Sequence, residues 1–189
     1  MQSAGRTFVW LVFFLLPACA ASDVHAPFTA AATSAGDKSN AIQIVAIDRL
    51  HQTVPVVSTY CEATKYETDR RAAASAAINR SLKDAASRLA GGLRFEIRSL
   101  EGRMRCHADG FAGVKSFCAS DAAIAVHVSG RDRLGREISL QSSREATEKV
   151  EALSCYTGMA AITKSVDRAL QMVLDDVRRR AVDVQGRTD

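Results

Sequence analysis

Two stretches of this chain repeat an apolar residue every third or fourth position, and they bracket a middle that alternates every second position. In the first, Ile78, Leu82, Ala85 and Leu89 share one face of a helix; in the second, Met159, Ile162, Val166, Ala169, Val173 and Val177 do so over a longer span. Between them, Leu93-Arg94-Phe95-Glu96-Ile97-Arg98 alternates strictly, as a strand with one face in water does. Ala122, Ile124, Val126 and Val128 share a face of a further strand, and Glu137-Ile138-Ser139-Leu140-Gln141 alternates again. The residues 132–135 between these two suit a hairpin. One-sided helices and one-sided strands must bury their apolar faces against each other, which leaves few architectures.

The remaining expectations complete that order. The apolar run Ala41 to Ile47 reads as a strand covered on both faces. Residues 49–63, with Pro55 among them, read as irregular. Thr64-Lys65-Tyr66-Glu67 fits a capping box, so the first helix is expected from there to Gly91-Gly92. A turn is expected at Glu101-Gly102, with strand resuming through Met104 and Cys106. The closing helix is expected over 157–182, with Arg178-Arg179-Arg180 at its end, where the helix dipole favours cations. The expected fold class is α+β: a two-layer sandwich, with a mixed or antiparallel sheet of about four to five strands and two long helices packed on one face. Of the 189 residues, 41–183 form one domain on this reading and 184–189 a disordered tail.

The N-terminus sets the compartment. Arg6 precedes the apolar run Phe8 to Leu16, far short of the ~20 residues that span a bilayer, and 1–19 reads as a signal peptide. Leu16-Pro17-Ala18-Cys19 resembles the lipobox of bacterial lipoproteins, in which the cysteine thiol is lipidated and becomes the mature first residue; Pro17 departs from that pattern. Ala18-Cys19-Ala20 is also an A-x-A site, and cleavage after Ala20 would discard Cys19. Ala20, in place of Asp after the cysteine, implies by the same resemblance sorting to the outer membrane. Residues 20–40 are rich in Ala, Ser and Thr with no apolar period, a composition that cannot offset the cost of ordering its backbone. As a flexible tether this stretch reaches about 25 Å root-mean-square.

Charge and aromatics argue against nucleic acid. The chain carries 25 basic and 21 acidic side chains for a net +4, with no concentrated basic run beyond the Arg triplet. Its single tryptophan, Trp10, lies in the export segment, so no stacking platform for bases is evident.

Four cysteines remain after export: Cys61, Cys106, Cys118 and Cys155. An even number in an oxidising compartment reads as two disulfides, with three connectivities open. Cys106–Cys118 would close a Gly-containing loop between two strands, and Cys61–Cys155 would tie together the approaches to the two helices. There is no CxxC, and Cys106-His107 with Cys118 is not a zinc spacing, so neither metal nor redox cofactor is expected. His25 and His51 read as solvated. His127, between Val126 and Val128, falls on the opposite sheet face, where a nearby Ser or Cys could give a nucleophile–base pair. Nothing else in the sequence supports a hydrolase: G-x-S-x-G, H-E-x-x-H and a phosphate-binding glycine loop are all missing. Asp175 and Asp176 read as a solvated helix face. No enzyme is expected.

Two stretches carry a family resemblance: Asp121-Ala122-Ala123-Ile124-Ala125-Val126-His127-Val128-Ser129-Gly130, and Ile162-Thr163-Lys164-Ser165-Val166-Asp167-Arg168-Ala169-Leu170. With the lipobox and the element order over 41–182, they resemble YajG-like lipoproteins and the auxiliary lipoproteins of envelope lipid transporters, whose folds are similar to the N-terminal domain of TolB. The resemblance implies a non-catalytic envelope component and brings no functional residues with it. The expectation is therefore a periplasmic accessory protein, anchored through Cys19 to the inner leaflet of the outer membrane. It would bind an envelope protein partner through a sheet edge or face. The alternative is a soluble, disulfide-stabilised secreted or periplasmic binding or inhibitor protein.

Overall fold

A computed structural model describes residues 42–58, 65–90, 92–109, 115–151 and 155–186. The expected signal peptide, lipobox, tether and Cys61 lie outside the described residues. Three long strands dominate: β4 (Leu93–Asp109), β5 (Lys115–Arg131) and β6 (Glu137–Glu151). They form an antiparallel meander, in register from Leu93, Gly130 and Ile138 at one end to Cys106, Cys118 and Val150 at the other.

On the other side of β4, two shorter strands follow one another, both parallel to it. β1 (Ile42–Val45) pairs with Leu93–Glu96, and β2 (His51–Ser58) pairs with Met104–Cys106. β3 (Lys65–Asp69) pairs antiparallel with β2, completing the order β3-β2-β4-β5-β6 with β1 beside β4. α1 (Arg71–Ser87) and α2 (Cys155–Gly186) pack on one face. The fold is α+β with an open mixed sheet and two helices, as expected, and the sheet has six strands among the described residues where about four to five were expected.

The additional strands come from residues 49–69, where local signals mislead. Pro55 suggested irregular chain. It sits where β2 leaves its ladder with β3, which runs from His51 to Pro55, and enters its ladder with β4, which starts at Val56. A residue without an N–H is tolerated at such a changeover. The Thr64–Glu67 capping box is not used, because Tyr66 and Thr68 are buried as alternate residues of β3. The helix starts at Arg71 instead, whose N–H is accepted by Asp69 Oδ1 at 3.1 Å.

No turn forms at Glu101-Gly102, and β4 runs straight through. Gly102 serves close approach: a Cβ there would meet Ile162 Cδ1 of α2 at 3.2 Å and Val54 Cγ2 at 3.4 Å. Between β1 and β2 the chain makes a 3₁₀ turn, Ile47–Leu50, entered through Ala46 in the left-handed region (φ 58°). Arg49 Nη1 then donates to the carbonyl oxygens of Ile97 (2.7 Å) and Arg98 (2.6 Å), beside the bulge between Ile97 and Ser99. The guanidinium satisfies β4 where neither parallel neighbour reaches it.

The core lies between sheet and helices. Phe95, Ile97, Met104, Ile124, Val126 and Val128 face it from the strands, and Ile78, Leu82, Ile162, Val166, Val173 and Val177 from the helices. Each large side chain so buried contributes about 1.5–3 kcal/mol. On α1 the stripe is Ala74, Ile78, Leu82 and Ala86, a strict four-residue spacing, so Ala86 takes the place expected of Ala85. α1 ends at Ser87, and α2 continues to Gly186, so Arg178–Arg180 are not at a helix terminus, and Arg178 and Arg180 find specific partners instead. At the β5–β6 hairpin, Asp132 Oδ1 accepts from the N–H groups of Leu134 (2.8 Å) and Arg136 (2.9 Å), and Gly135 takes φ +80°.

Candidate functional site: the open sheet face

Strict alternation along β4, β5 and β6 sends one set of side chains to the helices and the other to the opposite face, which no other described element covers. On β5 that outer set includes Phe117, Ala119, Ala123, Ala125 and His127. The alanines form a low floor, flanked by Arg98, Glu101 and Arg103 of β4 and by Gln141, Ser143 and Glu145 of β6. A hollow of about 480 Å³ lies here, lined by Arg98, Ala125, Gln141 and Ser143.

One half of this face carries the only histidine singled out for chemistry. His127 Nε2 lies 2.9 Å from Ser139 Oγ, and its Nδ1 is 4.0 Å from Glu96 Oε2. Arg98 approaches the same Nδ1 at 3.5 Å and pairs with Glu96 at 3.2 Å. A hydroxyl, an imidazole and a carboxylate thus stand in series, but the carboxylate is engaged by Arg98 and lies beyond hydrogen-bond distance of the ring. The group sits on an open face that water reaches.

The other half is more apolar. Phe117 lies against His107 at 6.4 Å between ring centroids, and Lys149 Nζ sits 4.2 Å over its ring. Val57 of β2, on the same face, is 70% exposed. Asp121 joins the three strands by accepting from Arg105 (2.9 Å) and Thr147 (2.8 Å). No sequence motif marks Phe117, though its place two residues before Ala119 on the outer register could have found it.

Beneath that half, facing the helices, Cys106 and Cys118 stand directly opposite each other and are joined by a disulfide. Alternation sends His107 to the other face, so these three residues do not converge on a metal. Among the described residues no group of three or more His, Cys, Asp or Glu is placed to hold one. The pairing expected of Cys61 and Cys155 lies outside the described residues. α2 begins over this disulfide, and a Cβ at Gly158 would overlap Cys118 Sγ.

The free edge of β6 is closed at its middle. Asp176, expected in solvent, is only 6% exposed. Its oxygens accept from Ser142 Oγ (2.8 Å) and Arg144 (2.7 Å) and pair with Arg180 (3.1 Å). The two arginines in turn donate to alternate carbonyls of the strand, Arg144 to Ser143 at 2.9 Å and Arg180 to Gln141 at 3.1 Å. Burial pushes the Asp176 carboxyl up, but the Ser142 hydrogen bond and the Arg144 and Arg180 charges outweigh it, and the group lies below the usual carboxylate range. Asp175 pairs with Arg178 (3.4 Å).

At the opposite edge, His51 is not in a loop as expected: it stands on β2 and contacts Glu67 of β3. Next to it, the Arg71 side chain holds Asp69 at a pKa of about 2.

These features define an α+β protein whose open sheet carries two helices on one face and a polar, partly apolar surface on the other. No protein-family model matches the chain, and no curated protein matches it. Among solved structures, it is similar to a candidate lipoprotein of Caulobacter crescentus CB15, at 12% identity and TM-score 0.37, over 72% of this chain and 92% of that one. It is also similar to a minor lipoprotein of Acinetobacter baumannii, at 9% identity and TM-score 0.30, over 67% of this chain and 84% of that one. A Xanthomonas campestris protein of the DUF330 family is similar at 15% identity and TM-score 0.37, over 79% of this chain and 90% of that one.

Proposed function

We propose that this chain is an exported accessory protein of the bacterial envelope, held by a lipid on Cys19 at the periplasmic side of the outer membrane. It binds a protein partner across the outer face of its sheet, without catalysis, cofactor or nucleic acid. The carrying observation is that face: strands of 15 to 17 residues, left uncovered by every described element, with a half-buried Phe117 and an exposed Val57 beside an alanine floor. Apolar anchors within a charged rim are what protein interfaces use. Strand addition at the β6 edge is the other route for a partner, and Arg144 and Arg180 obstruct it at mid-strand.

The hydrolase reading is weaker. Ser139 and His127 are within reach of each other, but acyl transfer needs oriented donors in a water-excluding site, and this pair lies on an open surface.

A photocrosslinker placed at Ala123 or Ser143 in the native envelope is expected to give partner adducts, and one at Gln171 on the helix layer none. Adducts from Gln171 alone would overturn the choice of face. Cys19→Ser is expected to move the chain from the membrane to the soluble fraction. Unchanged fractionation, or a mature N-terminus at Ala21, would remove the anchor and leave the soluble binding protein.

A further inference from the structure

We infer that the end of the domain at which Ile42 lies is a docking face for an anionic phospholipid surface, with Arg133 and Leu134 of the β5–β6 hairpin as its leading edge. The inference rests on the anchored reading for the nearness of a membrane, and it adds a second, non-covalent contact that sets which end of the domain meets the lipid.

The topology gathers this end. Ile42 pairs with Leu93, Leu93 with Gly130 and Gly130 with Ile138, so the first described residue and the hairpin lie at the same end of one sheet. The Ala90 N–H donates to Arg131 O at 2.9 Å, and a Cβ on Gly130 would crowd Leu89, which brings the end of α1 to the same place. Val177 and Ala181 line a small apolar hollow with Leu89 and Ile138, which brings the later turns of α2 there too. Residues 1–41 are therefore joined to the domain at this end.

Its charge is one-sided. The hairpin contributes Arg131, Arg133 and Arg136 against Asp132 and Glu137. The later half of α1 contributes Arg80, Lys83 and Arg88 against Asp84, while on α2 Arg178, Arg179 and Arg180 stand against Asp175, Asp176 and Asp183, so the cationic excess lies on α1 and the hairpin. Arg80, Lys83, Arg131 and Arg133 have no ion-pair partner among the described residues, whereas Asp132 is held inside its turn by Arg136 at 2.6 Å. Between α1 and α2, a groove of about 490 Å³ lined by Arg80, Arg88 and Arg178 continues the basic surface. At the opposite end Arg105 pairs with Asp121 and Arg168 with Glu148, and Lys149 lies over the Phe117 ring.

Leu134 supplies the apolar element. It is 75% exposed at the tip, between Arg133 and the Gly135 turn. An exposed leucine next to the unpaired Arg133 suits the boundary between headgroups and acyl chains. Each cation brought to an anionic bilayer strengthens binding about fivefold, and linkage to an anchor converts weak docking into a persistent orientation.

The test uses the exported chain carrying Cys19→Ser, so that no lipid contributes. It is floated with vesicles of roughly three parts phosphatidylethanolamine to one of phosphatidylglycerol, and separately with phosphatidylcholine alone. Binding to the anionic vesicles only, lost at high salt and reduced roughly tenfold or more by Arg133→Glu with Leu134→Ser, is the expected result. Arg133→Gln alone provides a second, milder variant, and Lys149→Glu at the far end is expected to change nothing. No flotation, equal flotation with neutral vesicles, or flotation indifferent to the hairpin substitutions would each overturn the inference. The natural chain is fractionated in parallel. Loss of its lipid with persistent flotation of the Cys19→Ser chain would remove the anchor and leave the docking face standing.

Discussion

The two ends of the sheet are held by different physics. At the Cys106 end a disulfide joins paired positions of β4 and β5, its two residues 2% and 0% exposed, and the first turn of α2 presses on it through Gly158. At the Ile42 end the constraints are hydrogen bonds, Asp132 within its turn and Ala90 on Arg131, with the Asp176 cluster between α2 and β6 following toward mid-strand. The first end spends its residues on covalent and apolar cohesion and pairs Arg105 and Arg168 with carboxylates. The second leaves cations unpaired and an exposed leucine at a polar tip. The contrast shows where stability is concentrated and where surface remains for docking.

The largest effect that tests this contrast is loss of the disulfide. Replacing Cys106 and Cys118 with alanine is expected to cost about 3 kcal/mol, the value for a loop of this length, read from denaturant unfolding under non-reducing conditions. A negligible loss would place the cohesion elsewhere. Next comes Asp176→Asn, expected to cost about 2 kcal/mol because Arg144 and Arg180 lose a buried carboxylate. Gly158→Ala, which adds a methyl against Cys118, is expected to cost about 1.5 kcal/mol by overpacking. In a Cys118→Ala background that cost should shrink, since the two sites share one contact. Simple additivity would separate α2 from the disulfide.

The distribution of these sites also shows what sequence could and could not reveal. The helices and the long strands were legible because their apolar faces repeat over many residues, so that Ile162, Val166 and Val173 on α2 and Phe95, Ile97 and Val126 in the sheet are all core. β2 and β3 were not, since Pro55 and the Thr64–Glu67 pattern are local signals overruled by pairing with β4 and with each other. Gly102 reads as a turn in one dimension; only the approach of Ile162 from a distant helix explains it. Asp176 was misread for the same reason. In sequence it follows a second aspartate and precedes the Arg triplet by one residue, and its burial comes from Ser142 and Arg144 on another element. Of the outer face, alternation placed His127 correctly, but the Phe117–Lys149 contact requires the register of β5 on β6.

The smallest effect concerns acid. Among the described residues three carboxyls lie below their ordinary range: Asp69 through Arg71, Asp176, where burial pushes upward but Ser142 and its arginines prevail, and Asp132, where burial pushes upward but the bonds from Arg136 and Leu134 prevail. A carboxyl lowered in the folded state adds stability that is fully present above its unfolded value and is lost as pH falls through the folded one. For Asp69 that window runs from the ordinary 3.8 down to about 2. Asp132 and Asp176 both belong to the Ile42 half, and none of the three lies beside the disulfide. Acidification is therefore expected to loosen the two halves unequally. Hydrogen exchange at successively lower pH should show the amides of Leu134 and Arg136 losing protection before those of Met104 and Ser120. Asp132→Asn should flatten the change at the hairpin alone, because it removes the titrating group while keeping an acceptor for the turn. A uniform loss across both ends would mean that protonation acts through global unfolding, and that the difference between the ends does not extend to their local stability.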